Sequence, residues 1–304
     1  MLRKSLLGCG CFAFAFCLAS AGENPPTRST LSAAAIADKN MTARGGLQAW
    51  RGVKTMRLSG KMGAGGNQRA ALALPAPDSP NGRPVKPTTL GQRPAKEVEL
   101  PFVMELERPR KMRFELQFAG QTAVQVYDGA NGWKLRPYLN RKVVEPFTPD
   151  ELKKADATAD LNLDGPLMDY AAKGTRVELA GMEKVEDRDN YKLRLTLKNG
   201  YSLNVWIDAL TFLETKIEGI PRRMDGVDHP VEVYYRDYRP VNGLQIPHLV
   251  ETHVLPVGHT AVGAGVKDTP VPVEKTIIER VVVNPKLEAT SFSKPEIGGQ
   301  PVAN

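Results

Sequence analysis

The chain has 304 residues, 41% of them hydrophobic and 25% charged, with a formal charge of +7. That length suits one large β-rich domain or two ordinary ones. The basic residues are spread over strand edges and loops rather than gathered into a stripe, which argues against a nucleic-acid binder.

Residues 1–21 read as a secretory signal peptide: Arg3 and Lys4, an apolar run from Leu6 to Leu18, then Ala19-Ser20-Ala21, with cleavage expected after Ala21. The run is too short to span a membrane, and no later stretch approaches the roughly 20 apolar residues required. Losing Arg3 and Lys4 leaves 39 basic against 34 acidic side chains, a net of +5. All three cysteines (Cys9, Cys11, Cys17) lie in this segment, so the exported chain enters an oxidising compartment without disulfides. Leu6-Leu7-Gly8-Cys9 has the look of a lipid-attachment site, but too few apolar residues precede it.

Ser29 or Thr30 is placed to cap a helix from about Leu31 to Ala49, which Gly45-Gly46 should kink or divide. Val53–Met62 is a first strand with Met56, Leu58 and Met62 on one face. Residues 63–99 hold six prolines and five glycines and no periodicity, the composition of a long flexible insertion in a hairpin. Strands return with Phe102, Met104 and Leu106, then Met112, Phe114, Leu116 and Phe118, then Val124 and Val126. A turn at Asp128–Gly132 leads to Trp133, Leu135 and Tyr138, so the segment reads as a meander with one apolar face.

Thr148-Pro149-Asp150-Glu151 is a helix start with a threonine cap and a glutamate at the third position. A second short helix is expected over Pro166–Ala172. Strands then resume at Arg176–Leu179. Residues 191–213 alternate strictly on both sides of Asn199-Gly200, with Leu193, Leu195, Leu203 and Val205 on the apolar face. That pattern predicts a hairpin with a two-residue type I′ turn. Further strands follow at Phe212–Ile220, Val231–Arg236, Leu244–Val250 and Lys275–Val283, with a second Gly/Pro-rich loop at about 255–272.

No cysteine nucleophile, Gly-x-Ser-x-Gly elbow or phosphate loop is present, so no catalytic residue, metal or cofactor is assigned. His248-x-x-Glu251-x-His253 has metal-ligand residue types. On a strand, however, His248 faces away from the other two. Asp160-x-Asn162-x-Asp164-Gly165 matches half a calcium loop, but the twelfth position is Ala171 where a bidentate acid is needed. Glu186–Asn190 reads as a solvated hairpin tip.

Four motifs resemble the LolA-like outer-membrane lipoprotein-sorting proteins, of the LolA/LolB/RseB-like superfamily. They are Trp206-Ile207-Asp208-Ala209-Leu210-Thr211-Phe212-Leu213-Glu214-Thr215-Lys216, Tyr127-Asp128-Gly129-x-x-Gly132-Trp133, Tyr234-Tyr235-Arg236-Asp237-Tyr238 running on to Pro247, and Val283-Asn284-Pro285-Lys286-Leu287. The match covers about residues 30–62 and 100–293, and the 63–99 insertion is foreign to the family pattern. The resemblance implies a mainly β, α+β fold: an unclosed antiparallel β-barrel of about eleven strands wrapped around a helical lid. It implies a periplasmic chaperone that shields acyl chains of a lipid or lipoprotein, as a transport carrier or a sensor. Membrane-bound donor and acceptor proteins are the implied partners, and a monomer is expected. Arg57 is the candidate for the family's lid-locking arginine.

The domain reading is therefore a signal peptide at 1–21 and one LolA-like domain over 22–304. The expected cavity lining is Met56, Leu58, Phe102, Met104, Leu106, Phe114, Leu116, Trp133, Leu193, Leu195, Leu203 and Val205. The alternative is a non-catalytic structural or partner-binding periplasmic module whose core is filled.

Overall fold

Among the described residues, strand alternation becomes antiparallel pairing. A computed structural model describes residues 31–64, 97–137, 141–224, 227–257 and 271–296. The expected signal peptide, Ser29, Thr30, Tyr138, His259 and the interiors of the two Gly/Pro-rich segments (65–96 and 258–270) lie outside the described residues.

Two helices open the fold, α1 (Ala33–Ala43) and α2 (Leu47–Gly52). Five strands follow before the mid-chain edge: β1 (Thr55–Ala64), β2 (Val98–Glu107), β3 (Lys111–Phe118), β4 (Gln121–Tyr127) and β5 (Gly132–Arg136). Next come β6 (Arg141–Pro146), α3 (Pro149–Asp164), β7 (Arg176–Val185), β8 (Arg188–Thr196), β9 (Ser202–Asp208) and β10 (Glu214–Glu218). The chain finishes with β11 (Arg222–Met224), β12 (Val227–His229), β13 (Val231–Val241), β14 (Leu244–Val254) and β15 (Glu274–Val283).

Among the described residues thirteen strands form one sheet in the order β6-β5-β4-β3-β2-β1-β15-β14-β13-β10-β9-β8-β7, while β11 and β12 pair separately. Two meanders are thus joined where the first strand meets the last. The sheet is not closed, since β6 and β7 stand at opposite ends of the order. The chain passes from one of these edges to the other through α3, whose sixteen residues span roughly 24 Å at about 1.5 Å each.

Local chemistry explains the joints. Ser32 caps α1 by accepting the Ala35 N–H at 3.2 Å, so the cap lies beyond both residues expected to supply it. The helix breaks at Gly45 (φ 113°), where an added Cβ would lie 2.3 Å from the Gly243 carbonyl oxygen. At Gly60, the β1–β15 register shifts and Ile277 O would lie 2.0 Å from a Cβ. α3 carries the expected capping box: Thr148 Oγ1 accepts the Glu151 N–H and the Glu151 carboxylate accepts the Thr148 N–H at 2.8 Å.

Several expectations need correction. Residues 63–64 and 98–99 extend the β1–β2 hairpin instead of belonging to the insertion. Pro166–Ala172 forms hydrogen-bonded turns with Asp169 at φ 51°, a conformation no α-helix accommodates. The β8–β9 connection is a three-residue loop: Leu197 and Tyr201 still pair, and the Gly200 N–H bonds Leu197 O at 2.9 Å. Two-residue turns with both residues at positive φ occur instead at Glu186-Asp187 (48°, 66°) and Asn242-Gly243 (50°, 81°). Glu186 is also more than a solvated tip, because it pairs with Arg236 at 2.6 Å.

Candidate functional site: an apolar cavity with one polar end

Directly paired residues share a face of an antiparallel sheet. One face therefore carries the rows Met56–Leu106–Met112, Leu58–Met104–Phe114 and Gly60–Phe102–Leu116. On the other half of the sheet, Leu203 and Val205 with Leu195 and Leu193, then Ile217 and Val233, continue it. This face and the last two turns of α3 enclose a cavity of about 440 Å³. A methylene is about the size of a water, whose share of liquid volume is about 30 Å³, so the space admits about 15 methylenes.

The space exists because α3 is a thin cover. Its large apolar residues are Leu152, Leu161 and Leu163, and alanines stand at 155, 157 and 159. Thr158, Leu161, Asn162 and Leu163 face the cavity.

The two ends differ. Beside α1 and α2 the cavity is sealed by a packed cluster that includes Met41, Trp50, Val53, Met56, Leu106, Met168, Leu244 and Ile246. At the other end, near the tip of the β1–β2 hairpin, Met62, Tyr201, Gly219 and Ile220 line it and are only partly buried.

The sealed end is also polar. Arg44, Glu214, Tyr235, Tyr238 and Gln245 reach the cavity there. Tyr238 donates its hydroxyl to Glu214 O at 3.0 Å and lies 3.3 Å from Glu214 Oε2. Burial first, and the Glu214 charge second, push both Tyr235 and Tyr238 well above the usual phenol range, so both stay neutral. Arg44 lies over the Trp50 ring at 4.2 Å and donates Nη1 to the Asp164 carbonyl at 2.7 Å. Arg108 donates to Val53 O (2.7 Å), Trp50 O (3.1 Å) and the Asp164 carboxylate, which Lys173 also bonds. These cations fasten the C-terminal end of α3 to α1 and α2, satisfying carbonyls that a helix end leaves open.

Of the residues expected to line the cavity, Met56, Leu58, Phe102, Met104, Leu106, Phe114 and Leu203 do so. Leu116 pairs with Phe102 on the same face. Leu193, Leu195 and Val205 are fully buried on the Leu203 side of their hairpin. Trp133 stands on the opposite face, because the Asp128 turn sets it against Val126, whose row contains Arg113, Glu105 and Arg57. Burial works against that turn's carboxylate, but N–H donors from Asn131 and Ala130 hold Asp128 below the usual range. Arg57 shares the outer row and donates Nε to Glu105 at 2.9 Å, away from α3. Arg44 and Arg108 carry no signal in the sequence, and Glu214 stands in a motif without an assigned role, since an isolated charge between apolar residues looks the same whether it is solvated or caged.

The remaining motifs prove structural. Asp208 Oδ1 accepts the N–H groups of Leu210 (3.0 Å) and Thr211 (2.7 Å), and Oδ2 lies 2.7 Å from Arg188. Asn284 Oδ1 accepts the Lys54 N–H at 2.6 Å, tying the end of β15 to the start of β1. Asp160, Asn162 and Asp164 sit on the last turns of α3, not on a loop. His248 Nδ1 lies 2.9 Å from Ile246 O, Glu251 accepts Arg236 Nε at 2.6 Å, and His253 packs on Tyr234 with ring centroids 4.6 Å apart. Among the described residues no cluster of three or more such groups forms a metal site.

No protein-family model matches the chain, and no curated protein does. Solved structures do. The chain is similar to a LolA superfamily protein from Nitrosomonas europaea, at 14% identity, covering 87% of this chain and 99% of that one, with a TM-score of 0.48. It is likewise similar to a DUF1329 family protein from Desulfovibrio piger, at 12% identity, covering 87% and 98%, with a TM-score of 0.49.

Proposed function

We propose that this protein is a non-enzymatic periplasmic carrier or sensor that holds acyl chains of a lipid or lipoprotein in the cavity between the open sheet and α3. The observation that carries the reading is a cavity of about 440 Å³, walled mainly by apolar side chains and set against a packed cluster at its polar end. Hiding a methylene from water is worth about 0.8 kcal/mol, so a chain of ten or so carbons gains enough to bind reversibly. α3 acts as the lid: it runs between the two free edges of the sheet, and the charges on Arg44, Arg108 and Lys173 hold its C-terminal end. In this reading residues 22–304 are one exported domain released by cleavage after Ala21. Among the described residues no helix is long and apolar enough to cross a membrane.

Native mass spectrometry of protein extracted without detergent tests the reading. Adducts with the masses of acyl lipids or lipopeptides are expected. A ligand-free protein that also takes up no added lipid would point instead to a partner-binding module with an inert core.

A further inference from the structure

The polar end of the cavity holds one hydroxyl that the fold does not use. Tyr238 gives its hydroxyl to the Glu214 carbonyl at 3.0 Å, beside the Glu214 carboxylate. Tyr235 also lines the cavity, but its hydroxyl forms no hydrogen bond among the described residues and yet is not occluded. Protein surrounds the residue, so the surface that this oxygen keeps opens on the cavity. Burial first, and the Glu214 charge second, keep it protonated. A phenol O–H withheld from water and left without an acceptor is costly, and a ligand in the cavity can supply that acceptor.

Building on the acyl-binding reading, we infer that the preferred ligand is an amphiphile whose buried end carries an uncharged carbonyl, of an ester, amide or ketone, that accepts the Tyr235 hydroxyl. The acceptor follows from the donor, since a protonated phenol has one O–H to give. The absence of charge follows from Arg44 and Glu214, which stand 3.6 Å apart and balance each other. An ionised head group would bring an uncompensated charge into a low-dielectric space. The carbonyl lies at the end lined by Tyr235 and Tyr238, and the hydrocarbon runs past Leu203, Met104 and Phe102 toward Met62. The ligand thus enters carbonyl first. A chain that enters methyl first leaves the Tyr235 hydroxyl unsatisfied.

The test compares 2-dodecanone with 2-methyl-1-dodecene, in which a methylene replaces the carbonyl oxygen, by displacement of a fluorescent fatty acyl methyl ester. Water hydrates the ketone better, so the readout is the change from wild type to Tyr235→Phe rather than the raw ratio. Tyr235→Phe is expected to bind the ketone about tenfold more weakly, a difference of about 1.4 kcal/mol. The alkene should bind within about twofold of its wild-type affinity. The ligand-free variant should melt within about 3 °C of wild type, because no protein hydrogen bond is lost. A larger drop, or failure to fold, overturns the inference, since the hydroxyl then serves the fold. Equal effects on the two compounds, or binding of the alkene alone, overturn it and leave the cavity reading standing. Failure of both compounds to bind wild type overturns the acyl-binding reading itself. Dodecanoate binding wild type more tightly than the ketone overturns the requirement for an uncharged end.

Discussion

The two faces of the β1–β5 half of the sheet are both largely buried, but by covers of different bulk. On the outer face the chain supplies its own cover: Phe292 packs with Val124 and Val126, flanked by Trp133, Leu135 and Leu287. Charged residues there are caged rather than solvated. Glu105 and Glu115 are 1% and 2% exposed, with Arg57 on Glu105 and Arg113 on Glu115 and the Ser291 carbonyl. The inner face is apolar, but its cover is a helix whose only large apolar residues are three leucines, and a cavity results. An apolar surface becomes a core or a binding site according to the bulk of what is laid over it.

That contrast can be broken by substitution. Phe292→Ala on the filled face should have the largest effect, a loss of about 3 kcal/mol in urea unfolding, because it empties a packed site. Arg108→Ala should cost about 2 kcal/mol by leaving the Val53 and Trp50 carbonyls and Asp164 short of a donor. It should also raise hydrogen exchange in the last turns of α3 above that of β1. Leu203→Trp, which adds bulk inside the cavity, should change stability by less than about 1 kcal/mol where the same addition to a filled core costs about 1–3. It should weaken acyl-probe binding tenfold or more.

The smallest effect concerns Glu151. Burial alone would raise its carboxyl, but Lys134 and the Thr148 N–H hold it below its ordinary 4.5. A folded-state value below the unfolded one stabilises above about pH 4.5 and is lost as pH falls through the lower value. Because the Glu151 side chain is 41% exposed, Glu151→Gln should cost under about 1 kcal/mol at pH 7. The difference from wild type should shrink as pH falls below about 4.5 in thermal melts.

Much of this architecture is legible as period-two alternation. The strands from Met56 to Val126, the Leu193–Val205 hairpin and the capping box at Thr148 all follow from local pattern. Elements that depend on distant partners do not. Nothing near Glu105 announces that residues after 284 will bury its face, and Trp206, on the nominally wet face of its strand, is 2% exposed beneath Lys192 and Lys216. The dipeptide Asn199-Gly200 suits a two-residue type I′ turn, but the Leu197–Tyr201 pair fixes a three-residue loop. Trp133 shows the same limit, since alternation assigns faces within a strand and only the turn before it assigns the strand to the sheet.

The most direct measurement is a titration of a fluorescent fatty acyl probe into wild type, Leu203→Trp and a conservative outer-face variant, Phe292→Leu. Saturable one-to-one binding is expected in wild type and Phe292→Leu, with loss of at least tenfold in Leu203→Trp. Binding that never saturates, or that Leu203→Trp leaves unchanged, would contradict the claim that the inner cavity is where a lipid chain is held.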